Sequence, residues 1–218
     1  MNGLIRNNFY AVKSTLLCLL SIFLVTWAGI LILTLLYNYK SGNISSVTFA
    51  VMGSFAGLPY TMLCANHLCA WNRFELTTPI SKAAVIKARY ISFALFALFA
   101  LITTLTLQLT FYTTAYGVLT QERIGYTLTM IFVLHILAPG ILHPLILIMG
   151  IDKAMIAFLI SIAGSLGFFA ISPVLITPLL SGIFATQFVY RLLVIAICIL
   201  LFIVSYFISL HLYEQKDL

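Results

Sequence analysis

STLLCLLSIFLVTWAGILILTLLY, Ser14 to Tyr37, runs for 24 residues without a charge. A helix rises about 1.5 Å per residue and needs about 20 apolar residues to cross a hydrocarbon core of about 30 Å. The stretch is long enough to span. It is also longer than a signal-peptide core and lacks a small-residue cleavage site followed by soluble sequence, so it is expected in the mature protein. Five more segments meet the same test, at roughly 46 to 70, 91 to 112, 124 to 149, 155 to 180 and 188 to 212. The expected fold is an all-α polytopic membrane protein with six transmembrane helices, residues 1–218 forming one transmembrane domain. A transmembrane barrel would instead show segments of about ten alternating residues between polar turns. No such period is present.

Composition agrees with lipid as the main solvent. The 218 residues are 63% hydrophobic and 7% charged, with a mean hydropathy of +1.16, whereas soluble domains carry about a quarter charged residues. The net charge of +6 does not point to nucleic acid, because no polar domain exists to hold it. The cations sit instead at expected membrane edges, where they would meet anionic lipid headgroups or a protein partner. Arg6, Lys13, Arg73, Lys82, Lys87, Arg89, Lys153 and Lys216 fall on one side of the six-span array, against Lys40, Arg123 and Arg191 on the other. The positive-inside rule places both termini in the cytoplasm.

The cysteines set few bounds. Cys18 and Cys198 lie within spans, and Cys64 and Cys69 are spaced wrongly for a CxxC pair, with His67 between them reading as a packing or interfacial residue. Residues 1–13 place Ile5, Phe9 and Val12 at helical spacing, with Arg6, Asn7, Asn8 and Lys13 largely elsewhere on the wheel. That pattern suits an interfacial amphipathic helix, a frayed polar lead-in being the alternative.

Two later segments are interrupted by proline. LHILAPGILHPLILIMG holds Pro139, Gly140 and Pro144, so a bent or broken fourth helix is expected. His135 and His143 flank the site, as polar lining of a pathway or as ordinary interhelical hydrogen-bonding groups. Without acidic or cysteine partners they do not suggest a metal. The fifth segment carries Ser161, Gly164, Ser165 and Gly167, which permit close helix approach, and then FAISPVLITPLLSG with Pro173 and Pro178. Residues 168–182 could form re-entrant external helices or a kinked helix ending at Gly182.

Polarity is concentrated in WNRFELTTPISKAAVIKARY, Trp71 to Tyr90, which holds Arg73, Glu75, Lys82, Lys87 and Arg89. Pro79 can restart the chain and Ser81 can cap a helix running into the third span. Val85, Ala88 and Ser92 then form a small-residue face. Trp71 and Phe74 beside charges suit a membrane interface.

The residues Trp71, Phe74, Leu76, Thr77, Pro79, Ile80, Ser81, Lys82, Val85, Arg89 and Tyr90 resemble the cytoplasmic loop between the second and third spans of ABC-2 type transporter permeases, in particular the small six-span bacterial permeases with the type V exporter-like fold. The opening ending in NNFYAVKS and HPLILIMGIDKA at 143 to 154 are similar to the same family, and the proline-broken 168–182 lies where its members carry re-entrant helices. The resemblance implies a coupling helix in 71–90, with Trp71, Arg73, Phe74, Glu75, Pro79, Ser81, Lys82, Lys87 and Arg89 docking onto an ATP-binding subunit. It also implies a pathway or hinge at His135, Pro139, Gly140, His143, Pro144, Pro173 and Pro178. Two such ATP-binding subunits would work with this chain and a second permease copy or paralogous permease in the bacterial cytoplasmic (inner) membrane. Related permeases expel antimicrobial or cytolytic peptides, or protect a producer from its own bacteriocin.

No GxxxxGK[ST] occurs and no soluble domain could bind nucleotide, so the chain itself is expected to bind no cofactor and catalyse nothing, with ATP and Mg2+ on the partner. An almost uncharged interior suits an amphipathic cargo: a peptide, lipid or drug. A secondary transporter would place an ionisable group at mid-membrane, whereas Glu75, Glu122, Asp152, Glu214 and Asp217 all fall in expected loops or the tail. A membrane enzyme would need converging catalytic groups, and neither HExxH nor GxSxG occurs. A self-immunity or accessory protein that does not transport is the remaining alternative.

Overall fold

The computed structural model describes residues 2–37, 44–68, 80–111, 121–176 and 187–215, and every regular element among them is helical. In chain order these are α1 (Asn2–Ala11), α2 (Lys13–Tyr37), α3 (Ile44–Ala56), α4 (Leu58–Leu68), α5 (Lys82–Phe111) and α6 (Gln121–Phe132). A π-helical turn, Val133–Leu137, joins α6 to α7 (Ala138–Met149), and a short 3-10 turn, Ile151–Lys153, leads into α8 (Ala154–Ile176). The last helix is α9 (Gln187–Glu214).

Among the described residues, five helical runs are long and apolar enough to cross a membrane: Lys13–Ile32, Lys82–Thr110, Ile124–Met149, Ile151–Ile176 and Gln187–Glu214. The expected second span, at 46 to 70, is not a single helix. It divides at Gly57 into α3 and α4, of 13 and 11 residues, and each falls short of the roughly 20 needed alone. The cause is local. Gly57 is a weak helix former, and Pro59 has no N–H and a ring that crowds the carbonyl four residues back. Helical bonding resumes at once, since Thr61 N donates to Gly57 O at 3.0 Å.

The bundle is sorted by depth of packing. Of the most apolar window in each run, 67% of Ile124–Met149 and 50% of Lys82–Thr110 is buried, against 22% for α8 and α9 and 6% for α2. The runs α6–α7 and α5 therefore form the interior. Phe93, Phe96, Ala100 and Leu107 of α5 are fully enclosed. Exposed residues such as Val25 of α2, Leu159 of α8 and Phe207 of α9 remain apolar, as they must where the surrounding solvent is hydrocarbon. At the turn after α7, Gly150 adopts φ +84°, a left-handed value that a side chain would strain.

Helix α1 packs against the bases of α4 and α5. Phe9 meets Phe96 edge-on, with ring centroids 5.1 Å apart. One reading of the sequence is corrected here: Asn8, expected largely off the apolar face, is buried. The physical reason is a relay of amides. Asn7 Nδ2 donates to Asn66 Oδ1 (3.4 Å), Asn66 Nδ2 to Asn8 Oδ1 (3.1 Å), Asn8 Nδ2 to Ser92 Oγ (3.0 Å), and Ser92 Oγ to Ala88 O (2.9 Å). The relay joins α1, the end of α4 and the first half of α5.

Removing a partner from a buried hydrogen bond costs about 1–3 kcal/mol. Asn8→Ala should therefore lower the melting temperature of the detergent-solubilised protein by several degrees, whereas Asn7→Ala, at the long and partly exposed end of the relay, should change it little. Thermal unfolding followed by circular dichroism checks both.

Candidate functional site

A proline inside a helix cannot donate to the carbonyl four residues back. Pro144 lies within α7 and leaves Gly140 O without that donor. The vacancy is filled from α9, where Ser205 Oγ donates to Gly140 O. The two helices are close at Gly140, where a Cβ would make ordinary van der Waals contact, 3.6 Å from Phe202 Cα and 3.7 Å from Ser205 Cβ.

A directed chain of hydrogen bonds follows from that first one. Ser205 has a single hydroxyl hydrogen, already given to Gly140 O, so it accepts from the Tyr90 hydroxyl 2.6 Å away. Tyr90 in turn accepts from Ser209 Oγ at 2.8 Å, and Ser209 accepts from His143 Nδ1 at 2.9 Å. Nδ1 of His143 thus carries a proton. The chain runs His143, Ser209, Tyr90, Ser205, Gly140, and all four side chains are buried. Tyr90 is further held by Phe202 and His143, with ring centroids at 5.0 and 5.4 Å. Three helices, α5, α7 and α9, are joined at this one point.

The start of α5 is tied to the end of α9 as well. Ser81 caps α5 by accepting from Ala84 N at 3.3 Å. Lys82 Nζ donates to Glu214 O at 3.2 Å, a cation at a helix C-terminus. The Arg89 guanidinium lies 5.6 Å from the Tyr213 ring centroid, a cation–π contact. Arg89 is buried and Lys87 is exposed. Trp71, Arg73, Phe74, Glu75 and Pro79, expected to complete this site, lie outside the described residues.

Pro173 repeats the proline logic in α8. It withholds the N–H that Phe169 O would accept, and Ser172 Oγ donates to that carbonyl at 2.9 Å. With its hydrogen so used, Ser172 accepts from Tyr190 of α9 at 2.6 Å. Residues 168–176 of the 168–182 region continue α8 as helix. Pro178 lies outside the described residues.

The segment around Pro139 is not broken. Pro139 lies in the first turn of α7, directly after the π turn in which Ala138 N donates to Val133 O. His135 within that turn is buried, with Nδ1 3.2 Å from Ile131 O and Nε2 3.0 Å from Met52 O of α3. His135 and His143 therefore face different neighbours. Among the described residues no three histidine, cysteine or acidic side chains converge. Beside the Gly140–Pro144 turn lies an apolar groove of about 530 Å³ between α7, α8 and α9, with Gly164, Phe168 and Ile208 in its walls.

The sequence reading did not single out Ser205, Ser209, Tyr213, Ser172 or Tyr190 as site residues. A signal existed for the first three: they recur every four residues along α9, which puts polar atoms on one face of an otherwise apolar helix.

A profile of the family described as ABC-2 family transporter protein matches residues 3–214. No curated protein and no solved structure matches the chain.

If Ser205 serves the carbonyl that Pro144 orphans, restoring the N–H should make Ser205 dispensable. Ser205→Ala should destabilise the protein by about 1–3 kcal/mol, but by less than half as much in a Pro144→Ala background. A double-mutant cycle of unfolding free energies in mixed micelles measures this coupling.

Proposed function

The chain belongs to the ABC-2 transporter family, and from that membership we propose that it is the membrane permease subunit of an ATP-driven exporter that moves an amphipathic substrate outward from the cytoplasm or inner leaflet. The observation that carries the reading is the Tyr90 node, which ties the helix following the polar segment to the proline turn of α7.

In this mechanism two ATP-binding subunits close on ATP and push on residues 71–90. Trp71, Arg73, Phe74 and Glu75 make the docking contacts, helped by the exposed Ser81 and Lys87. Arg89, being buried against Tyr213, transmits the push as an internal strut instead of touching the partner. Movement of the start of α5 reaches α9 through Lys82–Glu214 and Arg89–Tyr213, and reaches α7 through the Tyr90 chain. The turn holding Pro139, Gly140 and Pro144 is the natural place to bend.

Helices α3 and α4 cross in tandem as the second of six spans, which puts both termini on the cytoplasmic face of a bacterial inner membrane. The largely unburied α2 leaves room for a second copy of the permease or a paralogue. The apolar groove beside Gly140 and Gly164 suits the apolar part of a peptide, lipid or drug. Residues 168–182 would line the outer exit.

Co-purification with the candidate ATP-binding subunit tests the proposal. Interface hot spots, which are enriched in tryptophan and arginine, cost about 2 kcal/mol or more when truncated, roughly thirtyfold in affinity. Trp71→Ala with Arg73→Ala should therefore abolish stable association and permease-dependent ATP turnover while leaving the melting temperature of the permease unchanged. A folded chain that binds no ATP-binding subunit would contradict the proposal.

A further inference from the structure

A threonine in a membrane helix has little to bond except its own backbone, so its hydroxyl ordinarily returns to the carbonyl four residues back. In the second half of α5, Thr103, Thr106 and Thr110 do so, on Phe99 O, Ile102 O and Thr106 O at 2.9, 2.8 and 2.9 Å. Thr104 does not. It is fully enclosed, and among the described residues its Oγ1 has no hydrogen-bond partner.

The same contrast holds on the neighbouring helix. In α6, Thr129 bonds Gly125 O at 2.8 Å, whereas Thr127 accepts from Gln108 Nε2 of α5. That bond uses one end of the Gln108 amide. The other end, Oε1, is buried and has no partner among the described residues. The opposite amide orientation would exchange oxygen for nitrogen and leave one group unmatched all the same. Thr104 and Gln108 are four residues apart, so they share a face of α5, with Cβ atoms about 5–6 Å apart.

An amide oxygen and a hydroxyl without partners are costly in a medium that supplies no hydrogen bonds. Whatever satisfies both must accept a hydrogen from Thr104 and give one to Gln108. It must also be small, because Thr104, Gln108 and Thr127 are 0%, 7% and 3% exposed, too enclosed for a peptide, lipid or drug. Water meets both conditions. A buried water makes about two to four hydrogen bonds to groups that the protein leaves unsatisfied.

We propose that Thr104, Gln108 and Thr127 enclose a binding site for one water molecule, which accepts from the Thr104 hydroxyl and donates to the Gln108 amide oxygen between α5 and α6. Thr104 is 14 residues beyond Tyr90, about 21 Å along the helix at roughly 1.5 Å per residue. The water thus gives α5 a hydrated attachment well away from the Tyr90 chain. The site does not depend on the exporter reading, since it requires neither cargo nor an ATP-binding subunit.

The test uses the full chain with isotopically labelled threonine and glutamine in bilayers of deuterated phosphatidylcholine. Solid-state NMR follows magnetisation passed from water to the protein. Transfer should reach Thr104 and the Gln108 side-chain amide nearly as early as it reaches Gln215, which is exposed just after α9. Thr103, also buried but bonded to Phe99 O, should lag behind them. Gln108→Leu, which removes the amide, should abolish early transfer to Thr104 and leave Gln215 unaffected. The parent chain decides alone if that variant does not fold. Thr104 lagging with Thr103, early transfer to Thr103 as well, or an early Thr104 signal that survives Gln108→Leu would each overturn the assignment.

Discussion

A carbonyl that loses its N–H partner in hydrocarbon has no water to turn to. That constraint governs how α7, α8 and α9 pack. Pro144 and Pro173 each withhold one backbone donor, and in both places a serine hydroxyl supplies the missing hydrogen. In α7 the serine comes from α9 itself, and in α8 a tyrosine of α9 donates to the serine that does so. The proline turns are thus not loose points. The α7 turn is satisfied only while α9 is in register beside it, whereas the α8 turn is satisfied from within its own helix and α9 adds Tyr190 to the serine that does so.

This makes α9 the spine of the described structure, although its surface is mostly turned outward. Its contacts are spaced along its length: Arg191 on Gly125, Tyr190 on Ser172, Ser205 on Gly140, Ser209 between Tyr90 and His143, and Tyr213 under Arg89. Apolar packing alone discriminates poorly between neighbouring registers in a bilayer, since lipid tails are as apolar as the side chains. Directed hydrogen bonds with one hydrogen per hydroxyl allow few alternatives. A displacement of α5 at Tyr90 would act directly on a hydrogen-bond chain whose other end is Gly140 O.

Hydropathy alone made most of the bundle legible, because a run such as Ser14–Tyr37 has few other fates. Ser81 was legible as a cap from its position after Pro79, and Val85, Ala88 and Ser92 as a packing face from their size. The break at Gly57 was harder to see: Pro59 signals it, but the run from 46 to 70 is apolar on both sides and reads as continuous. The sequence places Arg89 at a membrane edge among the expected docking residues, and nothing in the local pattern signals that its side chain is buried. The aromatic ring that draws it inward comes from the other end of the chain. Asn8 was misplaced for the same reason, since its amide is satisfied by Asn66 and Ser92, which no local pattern links to it. Pro144 announced a bend, but that Ser205 would answer it depends on helix register, which one sequence does not contain.

Backbone hydrogen exchange in α7, comparing the parent chain with Tyr90→Phe in lipid nanodiscs, would test most directly whether α5 is mechanically joined to the proline turn. Tyr90 belongs to another helix and touches α7 only through side chains, so loss of its hydroxyl should speed exchange around Gly140 to Ile146 as the turn opens more often. An increase confined to α5, with α7 exchanging as before, would contradict the account and reduce the hydrogen-bond chain to ordinary packing.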